Sequence, residues 1–205
     1  MITYASSEQI FLRDVAMHQM SVLRDDGVNR HIRFKTPGSS SMYFDLITWP
    51  GFLCYTGDMG TYVFHRLEDM FQFFRTDRDH MSLRDGATLA INLSYWAEKL
   101  EAVDRCDGVQ EYSPAKFRAA IEDWLNQNDT TQELRDAVED EVLAYADSSE
   151  DDAKGSAIGF EFENDYPFEG FWEVNCKEYV FRFVWCCYAL AWGIQKYDDA
   201  KGSST

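Results

Sequence analysis

Four reversal signals in the first third of the chain constrain its fold more than any other feature. Asp25-Asp26-Gly27, Thr36-Pro37-Gly38, Pro50-Gly51 and Gly57-Asp58-Met59-Gly60 separate short runs rich in aromatic and β-branched residues. Those runs are His18 to Arg24, Val28 to Phe34, Met42 to Trp49, Phe52 to Thr56 and Thr61 to His65. Gly, Pro and Asp between such runs mark tight turns, so residues 18–65 read as an antiparallel meander of four or five short strands. Before it, Ser6-x-x-Gln9 resembles a capping box, with Ile10, Phe11 and Val15 on one face of a first helix.

After Arg66 the apolar spacing turns helical. Leu67, Met70, Phe71 and Phe74 share a face that should pack on the meander. Ser94 can cap a helix carrying Tyr95, Trp96, Leu100 and Val103. Ser113-Pro114 is a strong helix start, followed by Phe117, Ile121, Trp124 and Leu125. Thr130-x-x-Glu133 is a capping box opening a helix to about Ala146. Ser148 to Ser156 reads as a polar acidic loop, and Asn175-x-x-Glu178 as the start of a final helix, apolar on nearly every face. Lys201 to Thr205 reads as a frayed tail. The expectation is one α+β domain over residues 1–205: an N-terminal antiparallel meander packed by helices, then a mostly helical acidic half. Residues 148–158 are the best candidate for a subdivision.

Charge distribution bears on function. Across 205 residues, 36 Asp and Glu face 19 Lys and Arg, a net of −17. Residues 121–165 hold 15 acids against only Arg135 and Lys154. A surface this acidic repels phosphate, which argues against direct binding of nucleic acid or an anionic membrane and for a basic partner. On a helical wheel Leu134, Val138, Val142 and Tyr145 form the core stripe. Glu133, Asp136, Glu139, Asp140 and Asp147 fall within about 120° on the other side. Leu143 projects from that face as an apolar anchor, and Glu150, Asp151 and Asp152 continue the acidity. Asp136 and Asp140 sit about 6 Å apart along the axis, comparable to phosphate spacing on a nucleic-acid strand. The plain alternative is a solvated helix face.

Two other constellations hold chemistry. His65, Glu68 and Asp69, with Asp58 on the preceding turn and His80 downstream, are metal-ligand types that could support hydrolysis of nucleotides or nucleic acid. Acids in a first helical turn are, however, favoured by the macrodipole alone, and no H-E-x-x-H or D-x-D motif supports a metal. Arg30, Arg33 and Lys35 lie among the aromatic strands, where Tyr43, Phe44, Trp49, Phe52, Tyr55, Tyr62 and Phe64 could stack on a nucleotide. The ordinary reading puts those aromatics in the core and the arginines in ion pairs. Asp165 to Trp172 forms a second aromatic knot suited to docking.

Glycine-rich phosphate cradles and nucleophile motifs do not occur, so no cofactor is expected. Cys54, Cys106, Cys176, Cys186 and Cys187 are scattered and odd in number, which suits reduced thiols in a cytoplasm. No basic leader with a small-residue cleavage site opens the sequence, and Tyr179 to Ile194, interrupted by Arg182, reads as a buried helix rather than a membrane span. Oligomeric state is left open.

One stretch carries a likeness. Phe44-Asp45-Leu46-Ile47-Thr48-Trp49-Pro50-Gly51 is followed by Tyr55-Thr56-Gly57-Asp58-Met59-Gly60-Thr61-Tyr62-Val63-Phe64 and by Arg66-Leu67-Glu68-Asp69-Met70-Phe71. Over about residues 15–125 the chain resembles bacteriophage and prophage accessory proteins of uncharacterised role. The resemblance implies a bacterial host cytoplasm during infection, where small acidic proteins act against CRISPR or restriction systems. It supplies no catalytic residues. The expected function is therefore that of a non-catalytic anti-defence inhibitor, an acidic mimic of DNA that blocks a basic nucleic-acid-binding site on a host protein.

Overall fold

The computed structural model describes residues 4–80, 83, 86–104 and 108–202. The chain is α+β, and it divides into two compact units, Met1–Val109 with Tyr179–Thr205 and Gln110–Glu178. The second unit is thus inserted in sequence between two parts of the first.

The first unit opens with α1 (Tyr4–Asp14), so Ser6 lies inside its first turn and is not its cap. A six-stranded antiparallel sheet follows in simple order: β1 (Gln19–Asp26), β2 (Asn29–Lys35), β3 (Phe44–Trp49), β4 (Phe52–Gly57), β5 (Gly60–His65) and β6 (Leu100–Val103). The five strands expected from the turn signals are present. The sixth replaces the expected helix through Val103: α3 (Leu93–Ala97) is capped by Asn92, whose Oδ1 accepts from Tyr95 N, and stops at Ala97. Leu100–Val103 instead satisfies the open edge of β5, where ladder hydrogen bonds outweigh the intrinsic helix preference of Leu, Glu and Ala.

Alternation sorts the side chains across the sheet. Ile32, Phe34, Phe44, Leu46, Leu53, Tyr55, Tyr62 and Phe64 are buried on one face. That face is covered by α7 (Phe181–Gly202), the last helix, together with α1 and α2 (Met70–His80). Trp185 packs edge-on against Phe11 at 4.9 Å and Phe44 at 5.7 Å, and Gly193 lets the helix close onto Phe34 and Leu46. Cys186 and Cys187 are fully buried, and burial pushes both thiols far above the usual range, so they act as packing. Among the described residues Cys54, Cys176, Cys186 and Cys187 are free thiols, while Cys106 lies outside them. No described helix is long and apolar enough to cross a membrane.

Ion pairs lace α2 and α7 to the meander. Arg30 grips Asp69 through both terminal nitrogens at 2.8 and 3.0 Å. Arg75 and Arg78 converge on Asp198, and Tyr197 and Lys201 bind Asp25. On the opposite sheet face Asp45 accepts from His31 at 2.8 Å and from Arg33 at 2.8 and 2.7 Å. Burial alone would raise Asp45, Asp69 and Asp198, but hydrogen bonds from their cationic partners win and hold all three below the ordinary carboxylate value. Asp25 is lowered chiefly by Lys201. Each therefore stabilises the fold fully above the unfolded value of 3.8, and loses that contribution as pH falls from there through its own lowered folded value. Acid titration followed by tryptophan fluorescence should show the first unit losing stability below about pH 4, with the midpoint moving to higher pH in Asp198→Asn.

The second unit comprises β7 (Gln110–Tyr112), α4 (Pro114–Gln127), α5 (Gln132–Glu141), a 3-10 turn (Leu143–Tyr145), α6 (Glu150–Gly159), a second 3-10 turn (Phe171–Glu173) and β8 (Lys177–Tyr179). β7 pairs with β8. Three hydroxyls cap its helices: Ser113 on Lys116 N, Thr131 on Leu134 N and Ser149 on Asp152 N. Three sequence expectations are corrected. Thr130 opens no capping box, since its hydroxyl donates to Leu125 O and Thr131 caps α5 instead. Ser148 to Ser156 is largely helix, because Ser149 caps a first turn whose Glu150, Asp151 and Asp152 suit the positive end of the helix. Asn175-x-x-Glu178 opens no helix: Asn175 Oδ1 turns onto Lys177 N, Glu178 receives the Ser113 hydroxyl, and the strand ends before α7 starts at Phe181.

Candidate functional site: an acidic unit with an aromatic cleft

Residues 110–178 carry 19 acidic and 5 basic side chains, a net of −14 of the chain's −17. All five cations are engaged within the unit. Arg118 pairs with Asp147 and Leu143 O, and Lys154 and Lys177 share Glu150. Arg135 donates to Leu125 O, and Lys116 to Lys177 O. Among the described residues, Asp147 and Glu150 are the acids of this unit seen paired with a cation.

The apolar core of this unit, from Phe117, Ile121 and Leu125 of α4 to Val138, Val142, Phe168 and Phe171, turns the acids outward. Glu133, Asp136, Glu139 and Asp140 are exposed on α5, as are Asp147, Asp151 and Asp152 beyond it. Glu133 lies in the first turn, where the macrodipole favours it. Glu139, Asp140 and Glu141 fill the last turn, which contains no basic residue. There they oppose the dipole, and Asp136 with Asp140 adds a like-charge pair at i,i+4. Helix stability does not account for these acids.

Leu143 is not an exposed anchor. It is 5% exposed, in the core, whereas Tyr145, expected in the core stripe, is 51% exposed. The α-helix ends at Glu141, and the following turn winds with three residues per turn, so positions after 141 rotate away from the α-helical wheel. Exposed apolar surface is instead provided by Tyr145, Tyr166 and Trp172. The aromatic knot at 165–172 thus splits, with Phe168 and Phe171 inward.

A cleft of about 320 Å³ lies between the end of α4, the start of α5 and residues 162–167. Trp124, Leu134, Phe162 and Pro167 line it together with Asp129 and Asp165. Phe162 and Asp165 exchange both backbone hydrogen bonds, at 2.9 and 3.0 Å, across a two-residue reversal. Its central residues, Glu163 and Asn164, both have positive φ, +51° and +65°. Directly opposed residues of an antiparallel pair point to one face, so this turn sets an aromatic ring beside a carboxylate.

The other two constellations do not assemble. Asp69, a candidate metal ligand, is held by Arg30, a candidate nucleotide contact. Asp58 accepts from Met42 N, His65 stacks on Phe52 and pairs with Glu101, and Glu68 is exposed. Among the described residues no three His, Cys, Asp or Glu side chains are grouped to hold a metal. The side chain of His80 lies outside the described residues. Arg33 is bound to Asp45, leaving Lys35 exposed. Of the expected stacking platform, Phe44, Tyr55, Tyr62 and Phe64 are core, and Trp49 and Phe52 stack with His65 outside it.

No family model, curated protein or solved structure matches the chain. The acids were legible as composition. The cleft was not, because Trp124, Asp129 and Asp165 are brought together only by the fold; the single local signal was Glu163-Asn164, a polar pair between Phe162 and Asp165.

Proposed function

We propose that this chain is a non-catalytic binding protein whose acidic unit occupies a basic, nucleic-acid-binding surface on a host protein. The observation that carries this reading is the acidic end of α5. Glu139, Asp140 and Glu141 sit against the helix dipole without a cationic partner among the described residues, a placement that costs stability and suits an external positive charge. Exposed Tyr145, Tyr166 and Trp172 supply the aromatic contact area typical of interface centres. Taken with the resemblance to phage accessory proteins, the concrete form is an anti-CRISPR or anti-restriction inhibitor in the bacterial cytoplasm.

The double variant Glu139→Lys/Asp140→Lys separates this reading from a plain solvated face. It should stabilise the free protein by about 0.5–1 kcal/mol, since cations suit a helix C-terminus. The tagged wild type should retain from bacterial lysate, at low but not high salt, a protein whose nucleic-acid binding it inhibits. The double variant should inhibit that protein about tenfold less well. Equal inhibition by both, or capture only of proteins with no nucleic-acid-binding surface, would overturn the reading.

A further inference from the structure

The cleft of the acidic unit brings aromatic and acidic side chains together. Its aromatic residues, Trp124 and Phe162, can face a cation through their ring quadrupoles, and Asp129 and Asp165 supply compensating charge. Neither carboxylate has a cationic partner among the described residues; the Asp165 side chain accepts from Tyr166 N, at 2.9 Å. The nearest cation in sequence, Arg135, is occupied by Leu125 O at 2.7 Å and Asn126 Oδ1 at 3.3 Å. The reversal that aligns Phe162 with Asp165 holds Glu163 in the left-handed region, where a non-glycine residue costs about 1–2 kcal/mol. That cost persists beside a cavity, at the place where an aromatic ring and a carboxylate are set together.

We propose that this cleft receives an arginine side chain from the basic partner. The inference rests on the binding reading above and names the contact that gives it specificity. Arginine suits the cleft better than lysine. Its guanidinium is flat and weakly hydrated, stacks on aromatic rings, and can donate to a carboxylate through two nitrogens at once. The volume of about 320 Å³ leaves room for the side chain with part of its backbone.

Fluorescently labelled nonapeptides of arginine and of lysine, equal in charge, test this by anisotropy titration with the full chain. The wild type should bind the arginine peptide about three to five times more tightly. The preference should persist as salt is raised, while both affinities fall. Asp129→Asn/Asp165→Asn should abolish the preference, and both positions are exposed, so the fold should tolerate the change. Trp124→Leu should do the same, although Trp124 also packs on Phe168. Asp136→Asn/Asp140→Asn should weaken both peptides equally and keep the preference. Equal wild-type affinity for the two peptides, or a preference that survives the Asp129/Asp165 change, overturns the arginine cleft and leaves the acidic surface standing. Failure of both peptides to bind overturns the surface reading as well.

Discussion

Arg30→Ala should destabilise the first unit by about 2–3 kcal/mol, less than for a fully buried ion pair because the Asp69 left behind is partly exposed. The Arg30 side chain is only 9% exposed, and its two hydrogen bonds to Asp69 tie the second strand of the meander to the start of α2. Its guanidinium carbon also lies 4.8 Å from the centre of the Phe71 ring and 5.8 Å from that of Tyr197, so the same group holds α2 and α7. Truncation removes all of this and leaves Asp69 with the Phe71 N–H at 3.0 Å and, as its nearest cation, Arg75 at 4.0 Å. Urea unfolding should show a lower midpoint with an unchanged slope. The paired change Arg30→Met/Asp69→Leu should recover much of the loss, because the cost lies in stranding one charge rather than in lacking the pair. A loss under about 1 kcal/mol in Arg30→Ala would show that the pair is solvated and peripheral.

Gly57→Ala is expected to cost about 3 kcal/mol, at the upper end for overpacking, and to lower Tm by roughly 10 °C. Here the obstacle is backbone: a Cβ at Gly57 would lie 2.2 Å from Tyr43 O and 2.8 Å from Phe44 Cα. A side chain can swing away from such a clash, whereas the Tyr43 carbonyl, which accepts from Asp58 N next to the start of β3, cannot. Phe44, Gly57 and Gly60 are opposed in register across β3, β4 and β5, so the ladder itself must open. Gly38→Ala is the matched control. Its φ is +76° with nothing within 4 Å of an added Cβ, so it should show only the conformational penalty of about 1 kcal/mol. Differential scanning calorimetry of the two variants separates contact from conformation, and equal shifts in Tm would remove the contact argument.

The meander was readable because its turns are chemically explicit: Asp-Asp-Gly, Pro-Gly and Gly-x-x-Gly each favour a reversal between apolar runs. β6 was not, since Leu-Glu-Ala-Val has no strand signature and becomes a strand only because β5 presents a bare edge. α6 was hidden by Gly155 and Gly159, which lower helix preference, although Ser149 with Asp152 marked its start. The acidic character of the candidate site was legible in charge counts, and its geometry was not. Where α5 gives way to a tighter turn, Leu143 and Tyr145 exchange roles, and a helical wheel carries no information about a change of pitch.

The position of α7 has a consequence for biosynthesis. The helix that covers the sheet's apolar face is made only after the acidic insert, starting 72 residues after Val109. At about 5–20 residues per second, the strands wait roughly 4–14 s for their cover. During that interval the ribosome is producing the acidic insert. Its charge of −14 gives neighbouring nascent chains a mutual repulsion while their unfinished sheets are most prone to stick together.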